Sequence, residues 1–150
     1  MPTMKEGGRP IPPGSYEFMV TGAEEKQAFP TEKGGVVISQ LARFTVDDGG
    51  PHHGRIVTHR GVWFVAPGDV PEGYASTNFD SGDFEETAVL SGNDHRIAKV
   101  LGHPPEAQQG SFNYREYGGK RFSADLNYKE RQGSDYEDVT FRRIKESASG

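Results

Sequence analysis

Five stretches of the chain carry the alternating or β-branched hydrophobic pattern of half-buried β-strands. In the first of them, Tyr16, Phe18 and Val20 share one face, and Ser15, Glu17, Met19 and Thr21 share the other. The five stretches are 14–23, 36–46, 54–65, 120–130 and 136–144. A core is predicted to form around Phe18, Phe44, Val57, Phe122, Leu126 and Phe141.

One segment between the third and fourth stretches has the pattern of a helix instead. Ile97, Val100 and Leu101 form a single apolar stripe at helical spacing. Asn93 can cap the amino-terminal end, and Gly102 can end the last turn. The pattern therefore predicts the main helix from Asn93 to Leu101.

This order of elements predicts one mostly β domain over residues 14–144. Three strands, a helix and two strands are the order of a five-stranded OB-fold barrel, with its helix between strands 3 and 4. A β-sandwich with one incidental helix is the alternative that the pattern leaves open. Residues 1–13 are expected to form a flexible arm, 66–92 a long acidic excursion before the helix, and 145–150 a disordered tail.

Length and composition agree with a single intracellular domain. The chain has 150 residues and no cysteine, which suits a reducing compartment and excludes thiolate metal sites and cysteine nucleophiles. Its longest apolar runs fall far short of the ~20 residues that cross a membrane. The amino-terminal segment is polar and lacks the apolar region of a secretory signal. We therefore expect a cytoplasmic protein, or one in the host cytoplasm if its source is viral.

Negative charge is concentrated in one part of the chain. Residues 66–94 contain seven acidic residues and no lysine or arginine. Since the formal net charge is −5, removing those seven charges leaves +2 for the rest. The acidic segment could mimic DNA and cover a binding groove, contact a basic partner, or keep the protein in solution.

Catalytic and cofactor chemistry finds little support in the sequence. The five histidines do not follow the spacing of a metal site. The chain has neither a glycine-rich phosphate loop followed by lysine nor a nucleophile elbow. We therefore expect no enzyme, no metal ion and no cofactor.

Four short stretches carry a resemblance to a known family. They are Ile-Pro-Pro-Gly-Ser-Tyr-Glu at 11–17, Ala-Arg-Phe-Thr-Val-Asp-Asp-Gly at 42–49, Gly-Arg-Ile-Val at 54–57 and Gly-Lys-Arg-Phe at 119–122. In their order and spacing, the chain resembles the small OB-fold single-stranded-DNA-binding proteins of bacteriophages. The resemblance implies a role in phage DNA replication or recombination. Single-stranded DNA and proteins of those processes would be its partners, and homo-oligomer formation stays open.

Sequence-tolerant binding of single strands requires cations for the phosphates and aromatic rings for the bases. In an OB-fold both are expected on the second and third strands and the neighbouring loops. The candidates in that region are Arg43, Arg55, His59, Arg60, Trp63 and Phe64. Arg55, His59 and Trp63 share one strand parity and Arg60 and Phe64 the other, so a regular strand can present only one set, unless a bulge at Gly61 mixes them. Burial of Trp63 in the core is the open alternative.

Further candidates lie near the last two strands. Aromatic and basic residues alternate in a glycine-rich segment, and two more cations flank the final hairpin. These candidates are Tyr114, Tyr117, Lys120, Arg121, Lys129 and Arg131. Two functions of other classes stay open as alternatives: a viral structural or assembly β-barrel, and a protein-interaction adaptor that uses the acidic segment.

Overall fold

A computed structural model describes residues 3–4, 8–71 and 80–147, and over these ranges the protein is mostly β with one α-helix. The strands are β1 (Thr3–Met4), β2 (Gly14–Ala23), β3 (Gln27–Pro30), β4 (Val36–Val46), β5 (Ile56–Val65), β6 (Val89–Leu90), β7 (Arg121–Glu130) and β8 (Tyr136–Glu146). The helix α1 covers Gly92–Leu101. Short 3-10 segments cover Pro67–Asp69, Ser81–Phe84, Gln109–Ser111 and Tyr114–Tyr117.

The described strands form one antiparallel sheet that curls into a half-barrel. Its order is β1-β8-β7-β2-β4-β5-β6, and β3 pairs with the first part of β4. Because every neighbouring pair is antiparallel, β5 and β8 run in the same direction. They approach each other across the open side of the curl without forming a ladder in the described ranges.

The predicted number of strands and the predicted place of the helix are wrong. The five long strands were expected, but the described part of the chain adds the short strands β1, β3 and β6. The helix consequently follows β6 and lies between the sixth and seventh strands. Strands of two to four residues are too short to show a period of two, and they form because longer strands offer them hydrogen-bonding edges.

The helix begins one residue earlier than the pattern predicted. Its amino-terminal cap is Ser91, whose hydroxyl donates a hydrogen bond to Asp94 in the first turn. Gly102 ends the helix in a left-handed conformation with φ of 103°, where residues with a Cβ are disfavoured. The buried residues Ile97 and Leu101 lie on its apolar stripe, and the helix packs against β8 and β7.

The predicted core is confirmed. All six residues expected there are at most 2 % exposed. Their aromatic rings pack on each other, with centroids 5.5 Å apart for Phe18 and Phe122 and 5.0 Å apart for Phe44 and Phe122. Inward residues from β2, β4, β7 and β8 therefore share a single aromatic centre.

The segment 66–92 is more than an acidic excursion. Phe84, Ala88 and Leu90 are buried in the core, and Leu90 of β6 pairs with Trp63 of β5. Residues 72–79 lie outside the described residues. The described part of the segment thus covers one end of the sheet, so removing all of it would also remove core side chains.

Both expected flexible ends are partly packed. Ile11 is 2 % exposed, and its carbonyl accepts a hydrogen bond of 2.5 Å from the Tyr128 hydroxyl. At the other end, β8 continues to Glu146, two residues into the predicted tail, and the hydroxyl of Ser147 donates to Glu17.

Candidate functional site

The alternation of β5 divides the candidate residues on that strand into two groups. His59 and Trp63 point inward and are buried, whereas Arg60 and Phe64 point outward and are exposed. Pairing between β4 and β5 runs without interruption, so the suggested bulge at Gly61 is absent. Gly61 instead makes room for Tyr114, since a Cβ there would lie 2.7 Å from the ring of Tyr114.

Trp63 is a core residue. Its side chain is 0 % exposed, and its indole N–H donates to the carbonyl of Gln109 at 3.0 Å. The ammonium of Lys26 lies 4.4 Å from the centre of its ring. Trp63 therefore presents no face to a ligand, and the expectation that a base stacks on it is corrected.

His59 belongs to a buried hydrogen-bonded network centred on Asp94. The carboxylate of Asp94 meets the His59 ring at 2.7 Å and accepts from the Tyr114 hydroxyl at 2.6 Å. It also accepts from the backbone N–H of Val62 at 3.0 Å and from the Ser91 hydroxyl. The network ties α1 to β5 and to the segment before β7.

Burial and the hydrogen-bond partners of Asp94 act in opposite directions on its pKa. Burial alone would raise the pKa of its carboxyl. The opposing effects of His59, Ser91 and Tyr114 prevail and hold that pKa below its ordinary value. His59 and Tyr114, both expected at a binding surface, therefore act inside the fold.

The outer side of β4 and β5 carries a row of apolar side chains. Cross-strand pairing aligns Phe29 of β3 with Val37 of β4, Phe64 of β5 and Val89 of β6. Residues paired in this way point to the same side of a sheet. Phe29 is 49 % exposed, and Phe64 and Val89 are each 52 % exposed. We call these four residues the apolar row.

The sequence analysis included Phe64 but missed Phe29 and Val89. Phe29 lies in a charged segment with Pro30 and two glycines, which was interpreted as a loop. The only available signal was an aromatic residue flanked by short polar runs. Its position opposite Phe64 results from the pairing of β3 with β4, which no local pattern predicts.

Two arginines lie on the same outer side. Arg60 is exposed, and its guanidinium donates to the hydroxyl of Ser39 on β4 at 3.2 Å. Arg43 is half-buried beside Gly22, where a Cβ would lie 2.8 Å from the guanidinium. A register irregularity in β2 between Val20 and Gly22 brings Gly22 opposite Arg43. Arg55 is exposed directly before β5.

A cleft of about 230 Å³ separates β5 from the β7–β8 hairpin. Arg60 lines it on one side, and Arg131 and Asp138 line it on the other. Arg131 and Asp138 form an ion pair of 3.0 Å. The cleft therefore lies between β5 and the hairpin, and its lining contains three of the predicted candidates, His59, Arg60 and Arg131.

The remaining candidates do not form one cluster. Tyr114 is buried, and Tyr117 is half-buried with its hydroxyl 3.2 Å from the His103 ring. Lys120 is exposed, while Arg121 pairs with Asp47 at 2.7 Å. The alternating aromatic and basic residues of this segment thus point in different directions, because a 3-10 turn followed by a strand separates them.

No helix among the described residues is long and apolar enough to cross a membrane. Over the same part of the chain, no group of three or more histidine or acidic residues could hold a metal ion. Comparisons with protein-family models, with curated proteins and with solved structures found no match to this chain.

The ammonium of Lys26 lies close to the indole of Trp63, so tryptophan fluorescence can report the charge of this lysine. Its ammonium donates to the carbonyl of Gly110 at 3.0 Å and lies over Trp63, the single tryptophan. Burial lowers the pKa of Lys26 to about 8, against the opposing effects of Glu85 and Glu116.

We expect the fluorescence of Trp63 to titrate with a midpoint of about pH 8, because the cation above the indole is lost there. The measurement is the emission of the native protein between pH 6 and pH 10. In Lys26→Arg the charge persists through this range, and the transition should vanish. The same midpoint in Lys26→Arg would show that another group is responsible.

Proposed function

We propose that the outer side of β4 and β5 binds single-stranded DNA without strict sequence preference. The observation that carries the proposal is that the exposed rings of Phe29 and Phe64 and the guanidinium groups of Arg60 and Arg43 lie on the same side of the sheet. Unstacked bases need flat apolar faces, and the phosphates between them need cations.

The strand order supports an OB-fold barrel as the scaffold. The long strands follow the order β8-β7-β2-β4-β5, and α1 lies between the third and fourth of these long strands along the chain. OB-folds bind oligonucleotides on the second and third strands and on the loops after strands 1 and 4. Here those parts are β4, β5, the connection that holds Phe29 and the turn that begins at Arg131.

The spacing of the apolar row suits successive bases. Phe29 and Phe64 lie on strands that flank β4, so their backbones are about 10 Å apart at ordinary strand spacing. Val37 lies between them and adds its apolar side chain to this surface. A duplex keeps its bases stacked inside and offers no base face to such a surface, so single strands should bind much more tightly.

Phe64→Ala is expected to weaken oligo-dT binding by about 1–3 kcal/mol, roughly 5- to 150-fold in Kd. Fluorescence anisotropy with a labelled oligo-dT measures the change, and Phe29→Ala should act in the same direction. Phe64→Trp keeps a stacking ring and should retain affinity. Phe64→Leu keeps apolar bulk without a ring and should behave like Phe64→Ala.

Arg60→Ala tests the phosphate contact separately. Loss of one contact should lower the slope of log K against log salt by about 0.7 for a single strand. Lys99→Ala, an exposed cation on α1, is the matched control and should leave the slope unchanged. Equal affinity of the native protein for duplex and single strand at one salt concentration would refute the proposal. A surface that docks a protein would tolerate Phe64→Leu and show no oligonucleotide binding.

A further inference from the structure

The other side of the cleft carries a second concave surface that is rich in cations. It is a groove of about 880 Å³ lined by residues of α1, β7 and β8. Its cationic lining consists of Arg96 from α1, Lys129 from β7, and Arg142 and Arg143 from β8. We call these four residues the basic groove. Among them, only Lys129 was a candidate from the sequence.

A β-bulge explains how two consecutive arginines reach one groove. Ser123 pairs with Lys145 and Asp125 with Arg142, so β8 holds one more residue than β7 between these pairs. A bulge of this kind changes the alternation of side chains locally. Arg143 adopts a φ of 51°, the sole positive φ at a non-glycine residue in the described ranges. Such a conformation is strained for a residue with a Cβ, and strained residues of this kind cluster at functional sites.

The charge around the groove favours an anionic ligand. Four cations line it together with one carboxylate, that of Glu130. Arg143 also forms an ion pair with Asp125 at 2.6 Å, and its side chain is 85 % exposed. Asn93, Asn127 and Thr140 add neutral hydrogen-bonding groups to the lining. Amide and hydroxyl side chains of this kind commonly contact phosphate oxygens in nucleic-acid complexes.

The groove offers little to a base. Tyr128 is its one lining aromatic besides the buried Phe141, and the guanidinium of Arg9 lies 4.7 Å from the centre of the Tyr128 ring. The hydroxyl of Tyr128 donates to the carbonyl of Ile11. A ligand in the basic groove would therefore be held by its charge and not by stacking.

The basic groove continues from the cleft beside β5. Lys129 pairs across the hairpin with Asp138, and Asp138 lines the cleft together with Arg60. Arg131 of the cleft and Lys129 of the groove are two residues apart in the chain. A ligand that reaches both surfaces must therefore be a polymer, whereas a small anion would occupy only one of them.

We propose that the basic groove holds the phosphodiester backbone of the same single strand whose bases stack on the apolar row. The strand then wraps around the β7–β8 hairpin. This inference rests on the proposed function, and it adds a second, stacking-independent contact zone for long single strands.

Binding of oligo-dT of increasing length tests the inference. The native protein should bind dT5 through the apolar row alone, and dT25 more tightly and with a steeper salt dependence. In the double variant Arg96→Ala with Arg142→Ala, the salt slope for dT25 should fall by about 1.4, the value for two phosphate contacts. The affinity for dT5 should not change.

Two matched double variants complete the experiment. Lys99→Ala with Arg115→Ala removes two positive charges from exposed residues that do not line the groove, and this variant should bind dT25 like the native protein. Arg96→Lys with Arg142→Lys keeps the charge and should retain most of the salt slope. Thermal unfolding of each variant establishes that the fold is intact.

The possible results distinguish a failure of the basic groove inference from a failure of the proposed function. If native protein binds dT5 and dT25 and the double alanine variant binds dT25 equally well, the basic groove inference is wrong and the proposed function stands. If the native protein binds neither oligonucleotide, the proposed function fails. If poly-glutamate binds in an Arg96- and Arg142-dependent manner and dT25 does not, the groove serves an acidic protein segment and the inference is overturned.

Discussion

Trp63→Ala is expected to lower the free energy of unfolding by about 3–5 kcal/mol, the usual cost of removing a large aromatic side chain from a core. Its side chain is 0 % exposed, and the substitution also removes the hydrogen bond to Gln109. Urea denaturation followed by far-ultraviolet circular dichroism measures the loss, since the variant has no tryptophan to follow by fluorescence.

The adjacent residue Phe64 is the natural control for Trp63. Because its side chain is 52 % exposed on the opposite side of β5, Phe64→Ala should change the free energy of unfolding by less than about 1 kcal/mol. Trp63→Phe keeps an aromatic ring in the core and should preserve both the fold and oligo-dT affinity. A Trp63→Phe variant that unfolds normally but binds oligo-dT poorly would contradict the inward orientation of Trp63.

Asp94→Asn should destabilise the fold by about 3 kcal/mol, because it removes one partner from a buried, charged network. The asparagine amide keeps only one acceptor oxygen, so its N–H donors would meet either the Tyr114 hydroxyl or the Val62 N–H and the Ser91 hydroxyl, all of which donate to the carboxylate. Asp69→Asn, which changes an exposed carboxylate, is the control and should have an effect within about 0.5 kcal/mol. Equal unfolding midpoints for the two variants would contradict the structural role of Asp94.

The same network makes stability depend on pH in a defined direction. The pKa of Asp94 is lowered in the folded state, so as pH falls the unfolded chain takes up the proton first. The stabilisation is fully present above the ordinary carboxyl pKa of about 3.9 and is lost as pH falls through the lower folded value. Unfolding measured between pH 6 and pH 2 should show this loss in the native protein and a flatter profile in Asp94→Asn.

Residues that stabilise the fold and residues that are proposed to bind DNA lie on opposite sides of β5. His59 and Trp63 face the core, where they hold α1 and the segment that follows it against the sheet. Arg60 and Phe64 alternate with them and face solvent. Substitutions of the inward residues of β5 should therefore change the free energy of unfolding. Substitutions of its outward residues should change ligand affinity.

Local patterns in the sequence were sufficient for the long elements and the core. A period of two over ten residues identifies a half-buried strand, because only one face of each strand can be buried. Phe18, Phe44 and Phe141 were assigned inward by this argument, and all three are buried. The helix was found for a similar reason, since its stripe and its terminal glycine are local features.

Tertiary pairing decided what local patterns left open. Both parities of the predicted third strand, 54–65, contain an aromatic residue and an arginine, so the candidate residues by themselves could not determine whether Trp63 or Phe64 points outward. The carbonyl of Gln109, 46 residues away in the chain, accepts from the indole N–H and so favours burial of Trp63. Phe29 belongs to the apolar row because the short strand β3 pairs with β4. Arg143 lines the basic groove because of the bulge in β8. Both depend on hydrogen bonds between residues distant in the chain, which no local pattern encodes.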